Sequence, residues 1–189
     1  MNNKGEKTRL MIIESADRLF YCRGYGNTSF SDIVDAAGIY RGNIFHYFKS
    51  KKEILYAVLE KRIEENTTLL KHWNVRYDDP RDRLGQFVRL FVENGEDLVR
   101  YGCSVGTLNS ELAKDQRDLQ RFARPLLDLF RDWLAVQFSE LGRGQEARSL
   151  ALHLLSRVQG ISVIAHAYQD IGLLEHEVHQ LEAWIDTLG

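Results

Sequence analysis

The chain has 189 residues and a mass of 21.9 kDa, and 44% of its residues are hydrophobic and 11% aromatic. That is enough apolar material for a core, which excludes intrinsic disorder. The two cysteines, Cys22 and Cys103, are too few for a disulfide framework or a cysteine zinc site, and no run approaches the ~18 apolar residues of a membrane span. The start, MNNKGEKTR, is polar and lacks the apolar stretch of a signal peptide, so the expected compartment is the cytoplasm. The formal net charge of −2 argues at first against a nucleic-acid partner, but it sums unlike parts. Residues 1–52 hold 9 Lys/Arg against 5 Asp/Glu, whereas the rest of the chain holds 16 against 22. A basic head on an acidic body suits a protein that meets phosphates with one end only.

The elements read as helices from end to end. Leu10, Ile13, Ala16 and Phe20 recur every three or four residues and predict an amphipathic helix over about 5–23, closed by Gly24 and Gly26. A second helix starts at Thr28 or Ser29, with Asp32 at the capping-box offset from Ser29, and stops at Gly38. A third spans about Tyr40 to Phe48. Ser50 caps a fourth, marked by Leu55, Leu59 and Ile63, that reaches about Trp73. Asn74 to Arg81 is the clearest break, and Asp79-Pro80 opens a new helix with Leu84, Phe87, Phe91 and Leu98 as its buried stripe. Gly102 and Gly106 bracket a turn before a short helix to about Ala113. A long helix carries Phe122, Leu126, Phe130, Trp133 and Gln137 and ends near Gly142-Arg143-Gly144. Two more follow, at about 146–170 and 175–188. The expected fold class is all-α, with about nine helices and no internal repeat.

Residues 30–49, FSDIVDAAGIYRGNIFHYFK, have the spacing of a helix-turn-helix, with Gly38 in the turn. Ile33, Ala37, Ile39, Ile44 and Phe48 would be buried between these helices and the first. Arg41, Asn43, Phe45, His46 and Tyr47 would remain outward on the second helix of the motif. Arg and Asn have the fork geometry that reads guanine and adenine edges in the major groove. Lys49, Lys51 and Lys52 follow near the start of the next helix, where ammonium groups and unpaired backbone N–H groups suit a phosphate.

The stretch GYGNTSFSDIVDAAGIYRGNIFHYFKSKKEIL, Gly24 to Leu55, resembles the DNA-binding signature of the TetR family of bacterial transcriptional regulators. GCSVGTLNSEL, Gly102 to Leu112, also resembles a string seen in many members. The resemblance implies a three-helix DNA-binding domain at 1–52 and a ligand-binding and dimerisation domain at 53–189. Carried over by position, it implies DNA contacts from Thr28, Ser29, Arg41, Gly42, Asn43, Phe45, His46, Tyr47, Lys49 and Lys51. Thr28 would cap its helix and bond a phosphate, Tyr47 would reach the DNA backbone, and Lys51 would pin a phosphate. Two positions depart from the family pattern. Tyr40 stands where Ser or Thr commonly starts the recognition helix, and Phe45 stands where Tyr is usual, leaving apolar contact with a thymine methyl or sugar.

For the body, the resemblance implies that the last two helices pair with those of a second copy. Leu154, Val158, Ile161, Ala165, Leu181, Trp184 and Ile185 are the expected interface, with Gly160 and Ser162 allowing close approach. It also implies a small-molecule pocket, for which Trp73, Phe87, Phe91, Cys103, Leu108, Phe130, Trp133, His166 and Tyr168 are candidates beside their ordinary role as core. Cys103, following Gly102 at a helix start, is weighed as a sensing thiol against a small buried cysteine. No catalytic constellation, phosphate loop or cofactor motif stands out, and the one His pair at i, i+3, His176 and His179, lacks a third metal ligand. The expected partners are double-stranded DNA with a palindromic operator, a second copy of the chain, and a small effector, with no membrane. The expected function is a homodimeric, ligand-released repressor. An all-α ligand carrier, a protein-interaction module, an activator and a thiol sensor are the alternatives.

Overall fold

A computed structural model describes residues 3–188. The described residues form α-helices and no strand, as the periodicity predicts. In order these are α1 (Asn3–Arg23), α2 (Phe30–Ala36), α3 (Lys51–Arg76), α4 (Pro80–Glu93), α5 (Gly95–Tyr101), α6 (Ser104–Asp115), α7 (Arg117–Phe138), α8 (Ala147–Tyr168) and α9 (Ile171–Asp186). The single helix expected after Pro80 is divided at Asn94, whose side-chain amide donates to the Leu90 carbonyl at 2.7 Å. Its start is as expected: Asp79 caps α4 by accepting from the Arg81 amide at 2.8 Å, with Pro80 in the first turn.

The chain divides into two compact units. One holds the residues up to Glu64 together with Thr107–Pro125, and the other holds Glu65–Gly106 together with the residues from Leu126 onward. In the first, one apolar cluster gathers Ile12, Ile13, Ala16 and Phe20 of α1, Ile33 and Val34 of α2, and Ile54, Leu55 and Val58 of α3. Leu108 and Leu112 of α6 and Leu119 and Ala123 of α7 complete it. Ile12, not Leu10, is the inward residue at the start of the α1 stripe; Leu10 is exposed. Arg62 of α3 reaches Asp17 of α1, its Nε donating at 2.7 Å.

In the second unit α4 packs on α9, α8 on α9 and α5 on α8. Gly95 permits the α5 approach, since a Cβ there would lie 3.1 Å from Ile171 Cδ1. Arg83 of α4 is buried and makes four hydrogen bonds. Its guanidinium donates to Gln137 Oε1 and Glu140 Oε2 at 2.7 Å each, to the Asp78 carbonyl at 2.8 Å and to the Tyr77 carbonyl at 2.9 Å. A buried charge is tolerated when it is paired and its donors are used. α8 is long and apolar enough to cross a membrane by length and composition, yet Leu154, Leu155, Val158 and Ile161 are buried within this unit. Arg83→Ala leaves Gln137 and two backbone carbonyls without their donor. It should lower stability by about 3 kcal/mol in denaturant unfolding.

Candidate nucleic-acid interface

The motif forms in the first unit, and its two halves differ in kind. α2 begins with a full capping box: the Ser29 hydroxyl accepts from the Asp32 amide at 3.1 Å, and the Asp32 carboxylate accepts from the Ser29 amide at 2.7 Å. These bonds, side chain first and backbone second, hold the Asp32 carboxyl below its ordinary range. The stability they add is therefore present at neutral pH and is lost as pH falls through that lowered value. α2 ends at Ala37, and Gly38 follows at φ 62°, a left-handed conformation that glycine adopts without strain. Ile33, Ala37, Ile44 and Phe48 are buried and Ile39 is half-buried, matching the expected inner face.

The second half is not the α-helix expected over Tyr40–Phe48. It is a run of turns with one turn of 3-10 helix at Ile44–His46. The Asn43 amide donates to the Tyr40 carbonyl at 2.8 Å, the His46 amide to Asn43 at 3.1 Å, and the Tyr47 amide to Ile44 at 2.9 Å. The cause lies in the residues. No Ser, Thr, Asp or Asn stands at position 40 to cap a helix, Gly42 lies inside the segment, and Ile44, Phe45, His46, Tyr47 and Phe48 are weak helix formers. The segment still presents Arg41, Gly42, Asn43, Phe45, His46 and Lys49 to solvent, with Tyr47 half-buried. The Arg41 guanidinium donates to Ser31 Oγ, the Lys49 ammonium donates to the Phe45 carbonyl, and Phe45 stacks on Phe30 with ring centroids 5.3 Å apart.

Two expected phosphate contacts face inward instead. Thr28 is 0% exposed, and its hydroxyl donates to the Gly24 carbonyl at 2.8 Å, so it neither caps α2 nor meets solvent. Ser29, the true cap, is exposed. The Lys51 ammonium donates to the carbonyls of Tyr25 and Thr28, at 2.8 Å each, and lies 4.1 Å from the centroid of the Tyr25 ring. Burial pushes the Lys51 ammonium below its ordinary value, while Glu111 and Asp32 pull it back up. Burial likewise raises the Tyr25 phenol, with Tyr56 and Glu111 adding to the effect. Lys51 is therefore an internal tie at the start of α3.

Sequence reasoning also missed Glu111 of α6. Its carboxylate accepts from the Tyr25 amide at 2.9 Å and the Gly26 amide at 2.6 Å. A Cβ at Gly24 would lie 3.0 Å from Glu111 Oε2 and one at Gly26 3.1 Å from Oε1, so this approach needs two glycines. Gly24, at φ 84°, needs glycine on conformational grounds as well. The available signal was the string Gly102–Leu112, in which Glu111 is the penultimate residue.

The remaining candidates fall mostly in the second unit. Leu154, Val158, Ile161, Ala165, Leu181 and Ile185 are buried within it, so they are core and are unavailable to a second copy. Trp184 is half-buried and packs on Phe138 and His153, with centroids 6.1 and 5.1 Å away. Ser162 also faces inward, its hydroxyl donating to the Val158 carbonyl at 2.7 Å. The outward stripe of α8 instead carries Leu152, Gly160, Val163 and Ile164, and Tyr168 is 72% exposed. Of the expected pocket residues, Leu108 lies in the core of the first unit and Tyr168 lies on the surface. Trp73, Phe87, Phe91, Phe130 and Trp133 form one buried aromatic cluster, Phe87 lying 5.7 Å from both Phe91 and Phe130. Cys103 Sγ accepts from Gln159 Nε2 at 3.4 Å, and His166 Nδ1 is 2.8 Å from the Val99 carbonyl. Two open grooves in this unit, of about 570 and 410 Å3, are lined by none of the nine expected pocket residues.

Comparison with known proteins agrees with the motif. Residues 12–58 match the family described as bacterial regulatory proteins, tetR family. An HTH-type transcriptional regulator in the lacX 3'region of Lactococcus lactis is 29% identical, over 96% of this chain and 95% of that protein. The HTH-type transcriptional regulator TtgR of Pseudomonas putida is 34% identical over 51% of this chain and 45% of its own length. Among solved structures, a TetR transcriptional regulator from Chloroflexus aurantiacus has the same fold, with a TM-score of 0.83 at 24% identity, covering 97% of this chain and 96% of that one.

The inward and outward lysines should separate in solution. Lys51→Ala should lower the unfolding free energy by about 1–3 kcal/mol, for the loss of two charge-assisted bonds. Its DNA affinity should keep the salt slope of the parent. Lys49→Ala should leave stability within about 0.5 kcal/mol and make that slope shallower by about one unit. Denaturant melts and binding titrations from 50 to 200 mM salt on the order used for such slopes would read both.

Proposed function

The chain belongs to the tetR family of bacterial regulatory proteins, and on that premise we propose that it is a homodimeric repressor that binds a palindromic operator and is released by a small effector. As a DNA-binding transcriptional regulator, it would read its operator with the segment after Gly38. The observation that carries this reading is the sidedness of residues 40–49. Ile44 and Phe48 anchor the segment in the core while Arg41, Asn43, His46 and Lys49 are exposed along it. Arg and Asn suit guanine and adenine edges, and Lys suits a phosphate. Ser29, Gly42, Phe45 and Tyr47 complete the proposed surface. Such a regulator works where the operator is, in the cytoplasm, and no catalytic step is part of this reading.

The functional division proposed here is 1–52 for DNA and 53–189 for effector and second copy. It runs across the compact units, because Thr107–Pro125 folds with the residues up to Glu64. For the second copy we assign the outward stripe of α8, where Val163 is 65% and Ile164 50% exposed. Beside them, nothing lies within 4 Å of the place a Gly160 Cβ would occupy. An exposed apolar stripe with a glycine at its centre lets a like helix approach closely. Two copies would set two reading segments about one turn of DNA apart. The buried aromatic cluster around Phe87 is the proposed effector site. An effector favouring a conformation unfit for the operator by a few kcal/mol would switch occupancy.

Gel shifts against the DNA flanking its own gene test the operator reading. Arg41→Ala and Asn43→Ala should each cost about 1–3 kcal/mol on the best site and relax its sequence preference; unchanged binding would refute the base contacts. Sedimentation tests the pairing. The parent should sediment at twice 21.9 kDa, and Val163→Glu, on a residue the protomer core does not use, should yield the 21.9 kDa species at micromolar concentration.

A further inference from the structure

We infer that Tyr40 is a specificity-determining residue whose ring reads the 5-methyl group of a thymine in the operator, an inference that rests on the operator-binding reading above. Tyr40 is 78% exposed, more than any other large apolar side chain described in the first unit. It stands at the start of the reading segment, the end from which such segments reach base edges. Its backbone is fixed, because its carbonyl accepts from the Asn43 amide at 2.8 Å. Its ring lies beside Gly42. A Cβ on Gly42 would lie 3.2 Å from Tyr40 Cε1 and 3.5 Å from Cδ1, so the ring runs along the bare backbone of Gly42, and any larger residue there would push it away.

The neighbours sharpen the assignment. The Arg41 guanidinium is held by Ser31, the Lys49 ammonium by the Phe45 carbonyl, and the Phe45 ring by Phe30. Tyr40 is in none of the ring pairs of this unit, and it is the most exposed large apolar side chain of the segment. An apolar ring kept in water gains nothing in the unbound protein. Against DNA, the group it suits is the thymine methyl, the one apolar feature of a base edge in the major groove. A serine or threonine at this position would cap the segment and offer a hydroxyl. A tyrosine exchanges that cap for an apolar reader.

The test uses the full chain and sites it selects from a random DNA pool. Each thymine of the selected site is replaced singly by deoxyuridine, which removes only the methyl group. The parent protein should lose about fourfold in affinity at one thymine per half-site, and about tenfold or more when both copies are replaced. Tyr40→Ala should bind the thymine and deoxyuridine versions of that site equally, and Tyr40→Phe should behave as the parent. Thermal melts of both variants should match the parent, since the side chain is exposed. A parent protein indifferent to every replacement would overturn the inference. So would a Tyr40→Ala protein that still feels the same methyl. Equal, sequence-independent weakening in Tyr40→Phe and Tyr40→Ala would also overturn it, because it would place the hydroxyl on a phosphate. If instead the pool yields no preferred sequence, the operator reading itself falls, and the inference with it.

Discussion

The turn from Gly24 to Ser29 is held from two sides by opposite charges, and the exposed segment after Gly38 depends on it. The Glu111 carboxylate takes the amides of Tyr25 and Gly26, while the Lys51 ammonium takes the carbonyls of Tyr25 and Thr28. Thr28 closes the turn from within by donating to Gly24. The amides of Tyr25, Gly26 and Ser29 and the carbonyls of Gly24, Tyr25 and Thr28 are thus bonded by side chains, where an exposed loop would leave them to water. The consequence is positional. Ser29 caps α2 immediately after this turn, α2 sets the Gly38 turn, and Gly38 sets the reading segment. A loose start would be inherited by every later element of the motif.

Helices, their order and the inner face of the motif were legible in the sequence because they rest on local rules. The periodicity of Ile33, Ala37, Ile44 and Phe48, the Asp79-Pro80 start and the Ser29–Asp32 box each need only a few neighbouring residues to be read. The roles of Thr28 and Lys51 were not legible. Threonine before a helix and lysine at a helix start suit a cap and a phosphate on local grounds; instead Thr28 donates back to the Gly24 carbonyl of its own turn, and Lys51 reaches the carbonyls of Tyr25 and Thr28, 26 and 23 residues away. Glu111 is the extreme case, since its partners lie 85 and 86 residues away. The α-helix expected at Tyr40–Phe48 is absent for a local reason: helix-turn-helix spacing does not supply the missing cap at position 40 or strengthen the weak helix formers that follow.

α8 shows a different limit of periodicity. Leu154, Val158, Ile161 and Ala165 repeat at helical spacing, and so do Leu152, Gly160, Val163 and Ile164. A helix apolar on both faces does not declare which face is core. The stripe richer in large aliphatics, where an interface is expected from composition, is buried by the protomer itself. The same two-faced composition gives the helix its membrane-like character. The proposed second copy on the outer stripe would cover the apolar surface that the protomer leaves exposed there.

Turning Lys51 inward also changes how sequence preference should arise. Charge contacts to phosphates supply affinity that is blind to sequence, and each adds to the salt dependence. Of the three lysines that follow the motif, Lys51 is tied to backbone carbonyls, Lys49 bonds the Phe45 carbonyl, and Lys52 lies 5.6 Å from the Tyr56 ring centroid. With one of the three lysines withdrawn, the non-specific share of binding shrinks, and the base-edge share carries more of the total. On the proposed reading that share falls to Arg41, Asn43 and the ring of Tyr40, each suited to a different feature of a base pair. A net charge of −2 acts in the same direction, because acidic residues repel phosphates on any sequence, so on the proposed reading binding is concentrated where the base edges match.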